Sequence, residues 1–404
     1  MSARKNGDWA SAKLSEVIEL FDYKRVPLNS RERHERQGPY PYYGAQGIID
    51  HVDGYLFDGR YILVAEDGEN LNSRKLPLAM FANGKFWVNN HAHIIRARPE
   101  VADDVFLLAC LNQTDIKPFV TGAAQPKLSQ ANLKLIEIPL PPIVVQRRIA
   151  AIVSAYDDLI ENNLRRIKNL EEMALALYRK WFIEFSFPGH AKVSRVASAI
   201  GPIPKGWQVK AIPEAIEINP RVSISGDGKH PFVPMACLAN DSMLITEIET
   251  RVGSSGSKFQ NGDTLFARIT PCLENGKTGF VQFLPDRDSV ACGSTEFIVL
   301  RPRTVTPEFV YLLARSEEFR ATAIKSMSGA SGRQRVQERC FDSFQIAEPP
   351  HPLLERFSAV VAPSFALIQR LHLESDNLRQ TRELLLPRLL SGQVLTAPRE
   401  MVKI

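Results

Sequence analysis

The residues with the clearest chemical potential fall into three groups, and each group lacks a member. Pro271 to Thr278 (PCLENGKT) ends like a phosphate-binding loop, but such a loop needs a glycine where Pro271 stands, and proline has no backbone N–H to offer a phosphate. His91 and His93, in NNHAH, alternate along a strand and so face one side, which is half of a transition-metal site. No third ligand stands at a convincing spacing, so ordinary strand positions are expected there. Five cysteines (Cys110, Cys237, Cys272, Cys292, Cys340) are odd in number, widely spaced and without a CxxC pair, the pattern of reduced core thiols. No GxGxxG follows a strand, no GxSxG elbow occurs, and no Ser, Cys or Lys lies in a nucleophile setting. No catalytic residue, cofactor or metal is expected in this chain.

Binding chemistry is better represented. Basic and aromatic side chains interleave between Tyr23 and Gly47, where Lys24, Arg25, Arg31, Arg33, Arg36 and Gln46 stand among Tyr40, Tyr42 and Tyr43. Arginine and lysine hold phosphates or read guanine, and glutamine reads adenine, in a major groove. Two turn-rich loops, Thr121 to Ser129 (TGAAQPKLS) and Ser328 to Gln337 (SGASGRQRVQ), combine small residues with Gln125, Lys127, Arg333 and Arg335, which suits close approach to a phosphate backbone. Lys258, Arg268 and Lys277 complete the candidates. The net charge is only +5, and residues 1–140 hold 17 basic against 17 acidic side chains, residues 188–350 19 against 17. Any nucleic acid must therefore be met by local patches rather than by the field of a whole domain.

These residues need scaffolds, and the chain supplies the same scaffold twice. GDWASAKLSEVIEL (Gly7 to Leu20) aligns with KGWQVKAIPEAIEI (Lys205 to Ile218), matching Trp9 to Trp207, Leu14 to Ile212 and Ile18 to Ile216 at an offset of 198. IEIPLPP (Ile136 to Pro142) aligns with FQIAEPP (Phe344 to Pro350) at an offset of 208. A period of roughly 200 residues is too long for a solenoid, whose repeats run about 20 to 50, and implies two homologous domains. Within each, strand-like runs (Gly54 to Asn70 and Lys85 to Pro99; Gly262 to Val281 and Ser294 to Pro302) precede a helical one (Asp103 to Gln113; Pro307 to Ile324).

Each repeat ends in Pro-Pro followed by a long helix with a seven-residue apolar period. Ile149, Val153, Tyr156, Ile160, Asn163, Ile167, Leu170, Ala174, Leu177 and Trp181 fall on alternating steps of four and three, a coiled-coil seam in which the lone polar member, Asn163, fixes register. The frame carried forward by 208 gives Phe357, Val361, Ser364, Ile368, Leu371, Ser375, Leu378, Arg382, Leu385 and Leu389, so the second helix is the natural partner of the first. Pro363 and Pro387 predict a kink or break, and Gly392 a stop.

Together these stretches resemble the specificity subunit of type I restriction-modification systems over nearly the whole chain. Ile136 to Phe185, Pro41 to Gly68, QPKLS (Gln125 to Ser129), LFARITPCLENGK (Leu265 to Lys277) and LLLPRLLSGQV (Leu384 to Val394) carry the likeness. It implies an α+β protein in which two mixed α/β target-recognition domains (1–140 and 188–348) are separated by two long antiparallel coiled-coil helices (141–187 and 349–392) in a pseudo-twofold repeat, with a tail at 393–404. It also implies double-stranded DNA as ligand, two methyltransferase (modification) subunits as partners, restriction subunits joined through the complex, and methylation and cleavage carried by those partners. The entry to the second helix, PPHPLLERF (Pro349 to Phe357), lacks the Gln-Arg-Arg-Ile found at Gln146 to Ile149, so unequal grip on the two partners is expected. Two rivals are a DNA-recognition chain serving a fused methyltransferase-nuclease, and a coiled-coil adaptor that holds proteins. No apolar run approaches the roughly 18 residues that cross a bilayer, and the start MSARKNGDWASAK has no signal-peptide core. A cytoplasmic location and no membrane are expected.

Overall fold

The computed structural model describes residues 9–122, 124–224, 228–330 and 332–394; most of the expected tail at 393–404 lies outside them. Two compact units form, Met1–Ile160 with Asn377–Ile404 and Glu161–Asp376. Each contains one sheet-rich domain and part of both long helices.

The first domain is built on two four-stranded sheets. One runs in the order Ile18–Leu20, Ala92–Ala97, Tyr61–Ala65, Ala79–Ala82, and the other Gly47–Val52, Gln37–Gly44, Lys85–Val88, Phe57–Asp58. Tyr61 to Ala65 is buried along its whole length, which is why its sequence is a continuous apolar run rather than an alternating one. The expected helix forms at Asp104–Gln113, and Asp103 caps it by accepting from the backbone N–H groups of Val105 (2.9 Å) and Phe106 (3.1 Å).

The second domain repeats this plan strand for strand. Ile216–Ile218, Phe297–Pro302, Thr264–Ala267 and Thr278–Phe280 make one sheet, and Glu249–Val252, Lys229–Val233, Ala291–Gly293 and Ser257–Phe259 the other. In each domain one pair in the second sheet is parallel, Gln37–Gly44 with Lys85–Val88 and Lys229–Val233 with Ala291–Gly293. The run read as one helix from Pro307 divides into Pro307–Arg315 and Glu317–Lys325. Ser316 is extended between them and its hydroxyl accepts from Phe319 N–H.

The repeat holds down to single hydrogen bonds. Ser11–Lys13 pairs with Glu137–Pro139, and Gln208–Ala211 with Gln345–Glu348. Lys13 opposes Glu137 as Ala211 opposes Gln345. The Leu14 N–H donates to Ile136 O (2.8 Å) as the Ile212 N–H donates to Phe344 O (3.0 Å). These are the offsets of 198 and 208 read from the sequence.

The long helices span Ile143–Tyr178, followed by a π-turn at Arg179–Ile183, and His351–Leu390. Along the first, Ile149, Val153, Ile160, Asn163, Ile167, Ala174 and Trp181 are buried, with Tyr156, Leu170 and Leu177 half-buried. Near its end the buried position is Tyr178, one residue past Leu177. Along the second, Phe357, Val361, Ile368, Leu371, Ser375 and Leu389 are buried; Phe365 and Leu386 are buried beside the half-buried Ser364 and Leu385, and Leu378 and Arg382 are also half-buried. The pairing is antiparallel in each unit. In the first, Ile149 and Val153 share a core with Leu386, Leu389 and Leu390, and Arg382 pairs with Asp157. In the second, Trp181 and Phe182 meet Phe357 at ring-centre distances of 5.6 and 4.7 Å.

The second helix is not broken at proline. Pro363 and Pro387 lie inside a continuous helix and both are exposed. The carbonyl that loses its N–H partner one turn earlier can turn to water on that face, so the hydrophobic seam outweighs the lost bonds. Gly392 follows the second helix with a left-handed φ of 72°, and a Cβ there would meet the Trp9 ring at 2.7 Å, so glycine is required twice over.

Candidate nucleic-acid interface

Each turn-rich loop is tied back to its sheet by the same bonds. In the first domain Thr121 and Lys127 exchange backbone hydrogen bonds (2.9 and 2.7 Å), Leu128 N–H donates to Glu66 O (2.7 Å) and Gly68 N–H to Pro126 O (3.1 Å). In the second, Ser328 and Arg335 do the same (3.0 and 2.9 Å), Val336 N–H donates to Arg268 O (2.8 Å) and Thr270 N–H to Gln334 O (3.0 Å). Lys127 therefore corresponds to Arg335, Gln125 to Arg333 and Glu66 to Arg268. The backbone frame is constant while the side chains it presents differ, as expected of loops that read different ligands from one scaffold.

Several sequence candidates are exposed on this frame. Gln125, Lys127 and Arg333 stand on the loops, and Gln46 occupies the turn of the hairpin joining Gln37–Gly44 to Gly47–Val52, beside the exposed Ile48 and Ile49. Lys24 is exposed over the rings of Phe21 (5.6 Å) and Tyr23 (5.7 Å). Tyr43 is half-buried against Phe86, and burial raises its phenol above the ordinary value.

Others are engaged by groups of the protein itself. Tyr42 is fully buried, its hydroxyl accepting from Leu28 N–H at 2.9 Å. Arg33 pairs with Asp50 (3.0 Å) and donates to Leu28 O (2.8 Å), and hydrogen bonds from Gln37, the His51 backbone and Arg33 hold the Asp50 carboxyl below its usual range. Arg36 pairs with Asp53 and Arg31 with Glu35. Lys277 donates to the backbone carbonyls of Met235 (3.1 Å) and Leu238 (2.7 Å), which is a structural clamp. Arg335 grips Glu296 through two nitrogens, lowering that carboxyl and raising its own guanidinium. Arg268 pairs with Glu338 at 2.8 Å. Lys258, half-buried, donates to Gly256 O at 3.3 Å.

A buried ionic cluster underlies the first loop. Arg25 binds Glu66 (2.6 Å), Asp22 (3.3 Å) and Ala92 O (2.9 Å). His93 is buried with Nδ1 on Asp22 (2.6 Å) and Nε2 on Leu128 O (2.8 Å), and Lys127 reaches Glu66 from outside (3.2 Å). Asp22, Glu66 and His93 come close enough for one cation, but Arg25 already supplies the positive charge and Nε2 is turned to a carbonyl, so the arrangement fits an internal salt-bridge network better than a metal site. His91 points elsewhere, to Asp67 at 2.6 Å. Sequence reading missed this cluster because its members lie 3, 41 and 71 residues apart along the chain. The second domain has no such cluster among the described residues. At the matching positions stand Pro220, Ser223, Arg268 and Ile298, and a cavity of about 390 Å³ opens there, lined in part by Arg221, Lys258 and Arg268. The first domain's own cleft, about 570 Å³, lies between Pro27–Arg33 and Asn89–His91.

Residues 6–172, the first repeat with its helix, match the type I restriction modification DNA specificity domain. A putative type I restriction enzyme specificity subunit, S.HindORF215P of Haemophilus influenzae, is 38% identical over 36% of this chain and 37% of its own length. The MjaIX specificity subunit of Methanocaldococcus jannaschii is 26% identical over 69% and 65%, and the HindI specificity subunit of H. influenzae 20% identical over 83% and 84%. The first two are thus matched over less than two thirds of their own lengths. The fold is that of the crystallised type I restriction-modification S subunit from M. genitalium, with a TM-score of 0.59 at 14% identity, covering 98% of this chain and 99% of that one. The protein is of the two-domain, twin-helix class that these relatives share. Its first repeat carries the type I restriction modification DNA specificity domain, and the chain is similar over most of its length to type I restriction enzyme specificity subunits. No helix among the described residues is long and apolar enough to cross a membrane.

Proposed function

We propose that this chain is the sequence-recognition subunit of a type I restriction-modification complex. Each domain reads one half of a split target in double-stranded DNA, and the paired helices set the gap between the halves. The observation that carries the reading is the repeat itself: two domains alike to single backbone bonds present Gln125 and Lys127 in one loop and Arg333 and Arg335 in the other. A duplicated frame with unlike side chains suits a target whose halves differ.

Adenine methylation and cleavage belong to partner subunits on this reading, and the chain acts by holding the duplex in register for an enzyme that must extrude its target base. Two modification subunits are the expected partners, with restriction subunits joining through them. Val144, Leu159, Leu164 and Met173 on the first helix, and Val360, Leu373 and Leu384 on the second, are large apolar side chains exposed to solvent, and the proposal assigns to the helices the contacts with those partners. The test is a map of methylated adenines across the host genome with and without the gene. Loss of methylation at one split motif is expected on deletion; an unchanged map would refute the proposal.

A further inference from the structure

We infer that the cavity of the second domain is a seat for one phosphate of the DNA backbone, and that the first domain has no counterpart to it. The inference rests on the DNA-recognition reading and locates a contact within it.

Registers in the two domains define what corresponds to what. Phe21 N–H donates to Ile94 O (2.8 Å) and Asn219 N–H donates to Val299 O (2.8 Å), so the segment after Phe21 matches the segment after Asn219. Asp22 and Arg25 then correspond to Pro220 and Ser223, and the loop bonds already equate Glu66 with Arg268. In the first domain this position is closed by Arg25, Asp22 and Glu66, whose charges answer one another, and by His93, which is hydrogen-bonded to Asp22. In the second, proline and serine replace the ionic side chains, an arginine replaces the glutamate, and the space stays open.

The chemistry of the open space is one-sided. Arg221, Lys258 and Arg268 line it together with Ser223, Ser257 and Thr295, and no carboxylate does so among the described residues. Arg221 is exposed. Arg268 is held in place by Glu338 and Val336 O through its terminal nitrogens, while its Nε–H is buried without an acceptor. That donor is one the protein itself leaves unanswered beside the cavity. Gly256 forms part of the wall with φ 95°, and a Cβ there would lie 1.9 Å from Gly293 O, so only glycine lets the wall pass this close. A lining of three cationic side chains and three hydroxyls, with no carboxylate among the described lining residues, suits the oxygens of a phosphate.

The test is the salt dependence of binding between the full-length chain and a 30-bp duplex, read by fluorescence anisotropy over a KCl series. Each phosphate contact contributes roughly 0.9 to the slope of log K against log salt. R221A/K258A, which removes one phosphate contact, should therefore lower the slope by about 0.9 and weaken binding at 0.1 M KCl by roughly 8-fold. R221K/K258R should keep the wild-type slope, and R165A/K168A, which removes two exposed helix charges, should leave it unchanged. Salt-dependent binding that R221A/K258A does not alter, with its fold intact by circular dichroism, would overturn the phosphate seat and leave DNA recognition standing. An equal loss in R165A/K168A would also overturn it, because net charge alone would then explain the effect. No binding by the unaltered chain, free or with its co-purified partners, would overturn both.

Discussion

Replacing Asn163 with leucine should make the protein more stable, and the reason lies in the seam. Asn163 is 4% exposed, and its Nδ2 has no hydrogen-bond partner. A buried amide left unanswered costs about 1–3 kcal/mol, and leucine is of similar volume with better helix propensity. The net gain for N163L is therefore about 2 kcal/mol. For a cooperative unit the size of Glu161–Asp376, where 1 kcal/mol moves the midpoint by roughly 2–4 °C, the shift is about 4–8 °C upward in calorimetry. A polar seam residue is retained for register rather than for stability, so the same variant should pair its helices less uniquely, seen as faster amide exchange at the half-buried flanking positions Tyr156 and Leu170 despite the higher midpoint. A lower midpoint would refute the reasoning, because it would mean that the amide is satisfied and contributes to stability.

Three further outcomes follow from the same geometry. R25A leaves Asp22 and Glu66 buried without their cation, a change that costs about 3 kcal/mol with Lys127 still beside Glu66; R25L/E66M should recover most of it in urea unfolding, and failure to recover would show that the cluster's packing rather than its charge matters. Glu171 accepts from Ser242 Oγ (2.8 Å) and Met243 N–H (2.7 Å), and burial, partly offset by these bonds, raises its carboxyl above the ordinary value. The folded state therefore binds its proton more tightly than the unfolded one, so stability falls as pH rises from the ordinary glutamate range through the raised value. E171Q should flatten that dependence in a pH series of unfolding midpoints, and an unchanged profile would assign it elsewhere, Asp263 being the other buried carboxyl raised by desolvation. G392A should lower stability by more than about 1 kcal/mol, since it meets both a left-handed φ and the Trp9 ring; a neutral effect in thermal melts would mean that the last turn is dispensable.

The parts of the fold legible in the sequence are those fixed by local periodicity and by the repeat. Steps of four and three follow the buried positions of the first helix as far as Ala174, but the frame is off by one residue at Tyr178, Phe365 and Leu386; Pro-Pro precedes the start of each helix. The duplication set the matched ribbons, because the same residues, Leu14 and Ile212, must turn from strand into helix at the same point. The prolines pointed to a kink or break, and the break does not occur, since a one-residue rule cannot weigh Pro363 against a seam running the length of the helix. The binding site was legible only as a set of loops. Sequence shows that Arg25, Arg33 and Arg335 are basic, but their carboxylates, Glu66, Asp50 and Glu296, are brought to them by the fold, and only the structure shows which charges remain for a ligand. The cavity beside Arg221 was invisible for the same reason: it exists because Pro220 and Ser223 stand where Asp22 and Arg25 fill the other copy.

The claim at the centre of this account is that the paired helices measure the distance between half-sites. A seven-residue insertion in both helices, near Ile160 and Asn377 where one unit passes to the other, preserves the seam and adds about 10.5 Å of rise, or roughly three base pairs at about 3.4 Å each. Adenine methylation mapped in cells carrying that variant should appear at the same two half-sites with a gap about three base pairs longer. Methylation that persists at the original spacing, in a complex that still assembles, would contradict the account.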